Sequence, residues 1–333
     1  MKARIFVFAT LFLFIAALAN ILPSQAQKIA DPAVQQNTGN GALPLSNPLQ
    51  VALLRWYQAN TAPTTFPVGN QPYGVAFDGA NIWVANWADG TVSKLQANDG
   101  TALGTFPVGV APYGVTFDGA NVWVSNVGSG DVYKLRASDG KNLGVFPVGQ
   151  NPGWMAFDGA NIWVPNGNSQ LSQVSKVRAK DGKNLGTFTV GSGAITSAFD
   201  GANTWVVSGN GTVTKLRASD GTILGTFPVG VAPVGIAFDG ANMWVANRNS
   251  ETVTKLRASD GTVLGTFNVP TFPYGAAFDG TNIWVTGNYL VKLRASDGVV
   301  LGRFRTVTNT NGVAFDGANM WVAGYNDKMV GKF

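Results

Sequence analysis

The chain has 333 residues, 45% hydrophobic and 12% charged, with 42 Gly, 20 Phe, 10 Trp, no Cys and no His. The missing Cys excludes a disulfide scaffold and thiolate metal sites, the missing His excludes an imidazole base or ligand, and the single Glu (Glu251) leaves carboxylate chemistry to Asp. The formal net charge of +5 includes Lys2 and Arg4 of the leader described next, so it is a weak basis for a polyanionic partner, and no nucleic acid is expected.

Lys2 and Arg4 precede an apolar run from Ile5 to Leu22, followed by Pro23-Ser24-Gln25-Ala26. A charged start, an apolar stretch and small residues at Ser24 and Ala26 predict a secretory signal over 1–26, cleaved after Ala26. The competing reading is an uncleaved anchor, because the run approaches the ~20 residues that span a bilayer. With the leader removed, the expectation is an exported protein (periplasmic, cell-surface or secreted) with no stable membrane insertion. Residues 27–63, rich in Gln, Asn, Pro and Ala, read as a linker or N-terminal extension, although the Val51–Tyr57 stretch is apolar enough to pack on something.

From residue 64 one pattern repeats. Phe-Asp-Gly begins at Phe77, Phe117, Phe157, Phe199, Phe238, Phe278 and Phe315, in steps of 40, 40, 42, 39, 40 and 37 residues. A Trp stands six residues after each Phe: Trp83, Trp123, Trp163, Trp205, Trp244, Trp284 and Trp321. Within one unit, Tyr113–Phe117, Asn121–Asn126, Asp131–Arg136 and Leu143–Gly149 are β-prone runs separated by Asp-Gly or Gly-containing turns. Nothing in the unit has a helical period. The predicted fold is all-β, a seven-bladed β-propeller of four-stranded antiparallel blades over residues 64–333. The last unit ends at Val330–Phe333 and lacks a fourth strand, whereas Thr64–Gly69 matches the fourth strand Gly104–Gly109. The N-terminal strand is therefore expected to complete the C-terminal blade, which removes two unpaired edges.

Trp83-Val84-Ala85-Asn86, Trp244-Val245-Ala246-Asn247 and the Phe-Pro-Val-Gly segments resemble the YVTN-type propeller repeats of bacterial surface and exported proteins. The Phe-Asp-Gly-Ala-Asn signature is also similar to NHL and streptogramin-lyase-like propeller repeats. The resemblance implies the fold over residues 64–333 and little about function, since such folds host many activities. Lyase chemistry in that group implies a His base and a metal held with Glu or His. This chain has no His and one Glu, so those residues have no counterparts here.

The seven Trp are expected to fill the wedges between blades, a structural role. Each Asp-Gly serves a turn, Gly supplying positive φ and Asp bonding local backbone. One Asp per turn falls short of the six to eight oxygens calcium takes, so no metal and no cofactor is expected. Lys-Leu-Arg at 134–136, 215–217, 255–257 and 292–294 puts Lys and Arg on one side of the third strand. A basic ring is one reading; Arg paired with turn Asp, and Lys stems covering apolar surface, is the other and the favoured one.

The Asp-Gly turns repeat almost unchanged on one rim, whereas the second–third loops and blade connections of the opposite rim vary. Four residues before each repeat Phe stand Tyr73, Tyr113, Gly153 (then Trp154), Ile195, Val234, Tyr274 and Asn311. Divergence on one rim is consistent with ligand contacts or with drift in exposed loops. The ligand reading predicts a single central or off-centre site using Tyr73, Tyr113, Trp154 and Tyr274, with Asn168, Arg248 and Glu251 as polar contacts. Such a set suits a glycan, a peptide, a protein or a small molecule rather than catalysis. The expected function is a non-catalytic binding scaffold. Alternatives are an architectural surface-layer or matrix protein, and a lyase- or lactonase-like enzyme using a divalent cation.

Overall fold

The structure, a computed structural model, describes residues 63–167 and 172–333, and the predicted leader and almost all of the predicted extension lie outside them. The described residues form seven four-stranded antiparallel sheets and no helix, giving the predicted seven-bladed propeller. Blade 2 shows the plan: Pro112–Phe117, Asn121–Asn126, Asp131–Arg136 and Asn142–Pro147, running from the axis outward. The second strand of each blade is apolar on both faces because a neighbouring sheet covers each face. In blades 1 to 5 five of its six positions are buried. The fourth strand alternates, as a strand with one solvated face does.

Closure follows the displaced repeat. Thr64–Pro67 pairs antiparallel with the third strand of blade 7 in the register Thr64↔Lys332, Phe66↔Val330 and Pro67↔Met329. It thereby supplies the fourth strand of that blade.

The core is seven separate wedges. Trp83, Ala85 and Val92 of blade 1 pack against Val115, Val122, Val124 and Leu135 of blade 2. Trp321 and Val330 of blade 7 meet Ile82, Val84 and Leu95 of blade 1 in the same way across the closure. Each Trp also lies against the Phe of its own outer strand, as Trp123 does on Phe146 with centroids 5.5 Å apart. Six of the seven are fully buried, and Trp284 is 9% exposed.

The repeat Asp does more than turn the chain. Asp78 Oδ1 accepts from the amides of Ala80 (2.9 Å) and Asn81 (2.6 Å), while its Oδ2 accepts from the Trp83 indole Nε1–H at 2.7 Å. The indole bond recurs in all seven blades. Burial pushes the Asp78 carboxyl up, but these donors together with the Asn81 side chain outweigh it and hold it below the ordinary carboxylate value.

The Lys-Leu-Arg strands divide their charges. Arg136, Arg217, Arg257 and Arg294 pair with Asp139, Asp220, Asp260 and Asp297 at 2.8–3.0 Å. Both partners are about half exposed, so these pairs add little stability. The lysines are not merely stems over apolar surface. Cross-strand register sets Lys134 opposite Trp123, with Nζ 5.3 Å from the ring centroid. From there the ammonium donates to Ala179 O (2.6 Å) and Lys180 O (3.4 Å) of the next blade. Lys94, Lys176, Lys215, Lys255 and Lys332 repeat the link across five further seams. Lys292 makes no such bond among the described residues and lies 3.9 Å from Asp279 instead. Lys134→Met keeps the stem but strips a donor from the buried Ala179 carbonyl, so it is expected to cost about 1–3 kcal/mol. Lys292→Met should cost under about 1 kcal/mol. Urea unfolding of the two variants checks this; equal losses would refute the seam role.

Candidate functional site

The innermost strands approach one another closely enough that side chains of non-adjacent blades meet on the axis. Glycine makes this possible. A Cβ at Gly74 would fall 2.3 Å from Tyr113 O, one at Gly235 2.3 Å from Tyr274 O, and one at Gly312 2.3 Å from Tyr73 O. Each of these glycines therefore backs onto the carbonyl that carries the next blade's axial side chain.

Four of the aromatic residues expected from the sequence converge here. Tyr73 and Tyr113 have ring centroids 4.6 Å apart, as do Tyr113 and Trp154, and Trp154 lies 5.5 Å edge-on from Tyr274. The Tyr274 hydroxyl is 3.2 Å from that of Tyr73 and 3.0 Å from that of Tyr113. These four rings come from blades 1, 2, 3 and 6. Burial, followed by the proximity of a neighbouring phenol, pushes each of the three tyrosines above its ordinary value, so all stay protonated near neutral pH. The Arg248 guanidinium carbon sits 5.5 Å over the Tyr274 ring, and its charge acts on all three phenols in the opposite sense.

A fifth ring, Tyr325, stands edge-on to Tyr73 at 5.4 Å. Sequence reading missed it because it does not occupy the inner-strand position. It is the first residue after the second strand of blade 7, the position that Arg248 holds in blade 5. A common device places this position. Gln71, Ala111, Asn151, Ala232 and Asn309, each just before an inner strand, adopt φ of 50–54°. Their carbonyls accept from the backbone N–H of Trp87, Val127, Gly167, Arg248 and Tyr325 respectively. A left-handed non-glycine residue costs about 1–2 kcal/mol, and that strain recurs on the variable rim. The backbone is thus the same in five blades while the side chain it presents changes. Aligning residues 87, 127, 167, 248 and 325 would have raised Tyr325 together with Trp87, of which only Tyr325 has a ring contact with the cluster among the described residues.

The remaining expected residues do not join the cluster. Glu251 is exposed in the same loop as Arg248, with φ 51°. Asn168 lies outside the described residues. Other rim carboxylates are engaged locally. Asp89 accepts from Asn70 (2.6 Å), Asp131 from Asn126 (2.8 Å) and Ser129 (2.9 Å), and Asp327 from Thr308. No ion pair of Arg248 occurs among the described residues. A cavity of about 150 Å³ is lined by Val75, Trp154, Thr196, Ser197, Ile236 and Val313, with Trp154 bordering both cavity and cluster. Among the described residues no three His, Cys, Asp or Glu side chains group as metal ligands, and no helix is long and apolar enough to cross a membrane.

No protein-family model and no curated protein matches the sequence. Solved structures do. A structure titled Streptogramin B lyase is similar at TM-score 0.70 and 19% identity, covering 81% of this chain and 96% of that one. A Kuenenia stuttgartiensis hydrazine synthase chain is similar at TM-score 0.69 and 17% identity, covering 79% and 95%. Likeness at this identity speaks for fold alone. With its seven four-stranded sheets and its repeat, the chain is by fold a seven-bladed β-propeller of the architecture these two proteins share.

Proposed function

We propose that the protein is an exported, non-catalytic binding scaffold that takes a ligand, a glycan, peptide or small molecule, on the axial aromatic cluster of its variable rim. The observation that carries this is the convergence of Tyr73, Tyr113, Trp154 and Tyr274, from four different blades, onto one shared hydroxyl and one stacked guanidinium. Wedge packing does not require it, because the seven Trp fill the seams without these rings. Rigid aromatic faces with a few polar groups are what a small recognition site uses.

The test is a thermal-shift screen of glycans, peptides and divalent cations, followed by titration of a hit into the Tyr73→Phe/Tyr274→Phe double variant. Tyr→Phe is preferred to Tyr→Ala because these rings pack on each other. Loss of the two hydroxyls is expected to weaken binding by about 2- to 10-fold, the worth of one neutral hydrogen bond, with the melting temperature held within a few degrees. Unchanged affinity would move the site elsewhere.

Export is part of the same reading and rests on residues 1–26. N-terminal sequencing of secreted or periplasmic material is expected to start at Gln27 or within a few residues. Protein beginning at Met1 in the membrane fraction would contradict it.

One observation favours the architectural reading. Leu103, Leu143, Leu185, Leu224, Leu264 and Leu301 are exposed at the same place on six outer strands, a repeated apolar stripe. Sedimentation at rising concentration separates a monomeric binder from a self-assembling component.

A further inference from the structure

The chemistry of the cluster narrows what it can hold. Three phenols carry three O–H protons, and the chain Tyr73···Tyr274···Tyr113 uses two of them. Whichever way the bonds run, one O–H is left without an acceptor in the chain of three. Beside it, Arg248 is exposed and stacked on Tyr274, with its N–H fork unpaired by any carboxylate among the described residues. The other acids of this rim keep their charge but are held as acceptors of local donors, Asp89 of Asn70, Asp131 of Asn126 and Ser129, and Asp327 of Thr308, and none of them pairs with Arg248 among the described residues. Glu251, three residues along the same loop, is exposed and has no such donor among the described residues. The site thus offers donors and a cation beside a cluster of tilted and edge-on aromatic rings.

From this we infer that the ligand is a small organic acid, one carboxylate on a ring body. The carboxylate takes the Arg248 fork and the spare tyrosine O–H, and the ring lies on Trp154 and its neighbours. Arg binds carboxylate through two parallel N–H bonds, a geometry that a neutral amide or alcohol cannot match. An aromatic acid and an acidic sugar both present this carboxylate and a face that stacks on aromatic rings, and the experiment distinguishes them. The inference rests on the rim reading above, and goes beyond it in fixing the ligand's charge.

The experiment uses matched probes titrated into the full chain by calorimetry and by ring-proton NMR of the tyrosines. Benzoate is paired with benzamide, and glucuronate with glucose. At least one acid is expected to bind at least about tenfold tighter than its neutral partner and to shift the Tyr274 signals. Which acid responds identifies the body. Arg248→Gln should abolish that preference, and Arg248→Lys should restore only part of it. Arg248 is exposed, so both variants should melt as the parent does, and Tyr274→Phe, which keeps the ring, provides a second variant. Neutral probes binding as tightly as the acids, or acid binding unchanged in Arg248→Gln, would overturn the inference while leaving the rim site intact. Silence from both acids also overturns it, and the wider screen then decides the rim reading separately.

Discussion

Trp123→Ala is expected to lower stability by about 3–5 kcal/mol, the cost of an unfilled cavity at a fully buried large ring. For a domain of this size that is a fall of roughly 6–20 °C in melting temperature. The magnitude follows from where the ring sits: 0% exposed, against Phe146 of its own blade and packed with Met155, Ile162, Val164 and Val177 of the next. The indole N–H also satisfies Asp118 Oδ2 at 2.8 Å, so truncation removes one of that carboxylate's partners too. Trp123→Phe, which refills much of the space but cannot donate, should lose distinctly less. Calorimetric melts of both variants check the order. If the two cost the same, the hydrogen bond rather than the volume dominates the wedge.

Removing residues 64–69 should have a larger effect still. Thr64–Pro67 is the fourth strand of blade 7, Phe66 stacks on Trp321 at 5.4 Å, and Val68 N–H donates to Lys328 O at 2.9 Å. Without them the third strand of that blade is an open edge and the Trp321 wedge loses one wall. An exposed, flat edge next to apolar surface is an aggregation template. The expected outcome is loss of cooperative unfolding, or aggregation, followed by light scattering during a thermal ramp. Parent-like melting after the deletion would mean that the ring closes by some other pairing.

The propeller was legible because one local signal is repeated. Phe-Asp-Gly with Trp six residues on marks the first turn and second strand of every blade, and its period counts the blades without long-range information. Closure was legible for the same reason, since a strand in phase with the repeat is missing at one end and present at the other. The seam contacts were not legible. Lys134 and Ala179 are 45 residues apart, and nothing in either sequence neighbourhood indicates that an ammonium crosses from one blade to a carbonyl of the next. The Asp–Trp bond could be seen only as a spacing, because it depends on the curl of the turn.

At the candidate site, the axial aromatics could be found because they occupy one repeat position that varies. Their mutual hydroxyl bonding and the Arg248 stack could not, because they join blades 1, 2, 5 and 6 across the axis. Tyr325 was hidden by attention to the inner strand, although it shares a backbone position with Arg248. Gly74, Gly235 and Gly312 look like ordinary strand glycines in the sequence. They are understood only when each is seen against the carbonyl of the neighbouring blade.

The most direct measurement is a crystal structure of the protein bound to a hit from the ligand screen. The account predicts the ligand on the axis at the variable rim, in contact with Trp154 and Tyr274 and within hydrogen-bond reach of Arg248. A ligand bound at the Asp-Gly rim or on an outer strand, with those three side chains untouched, would contradict it.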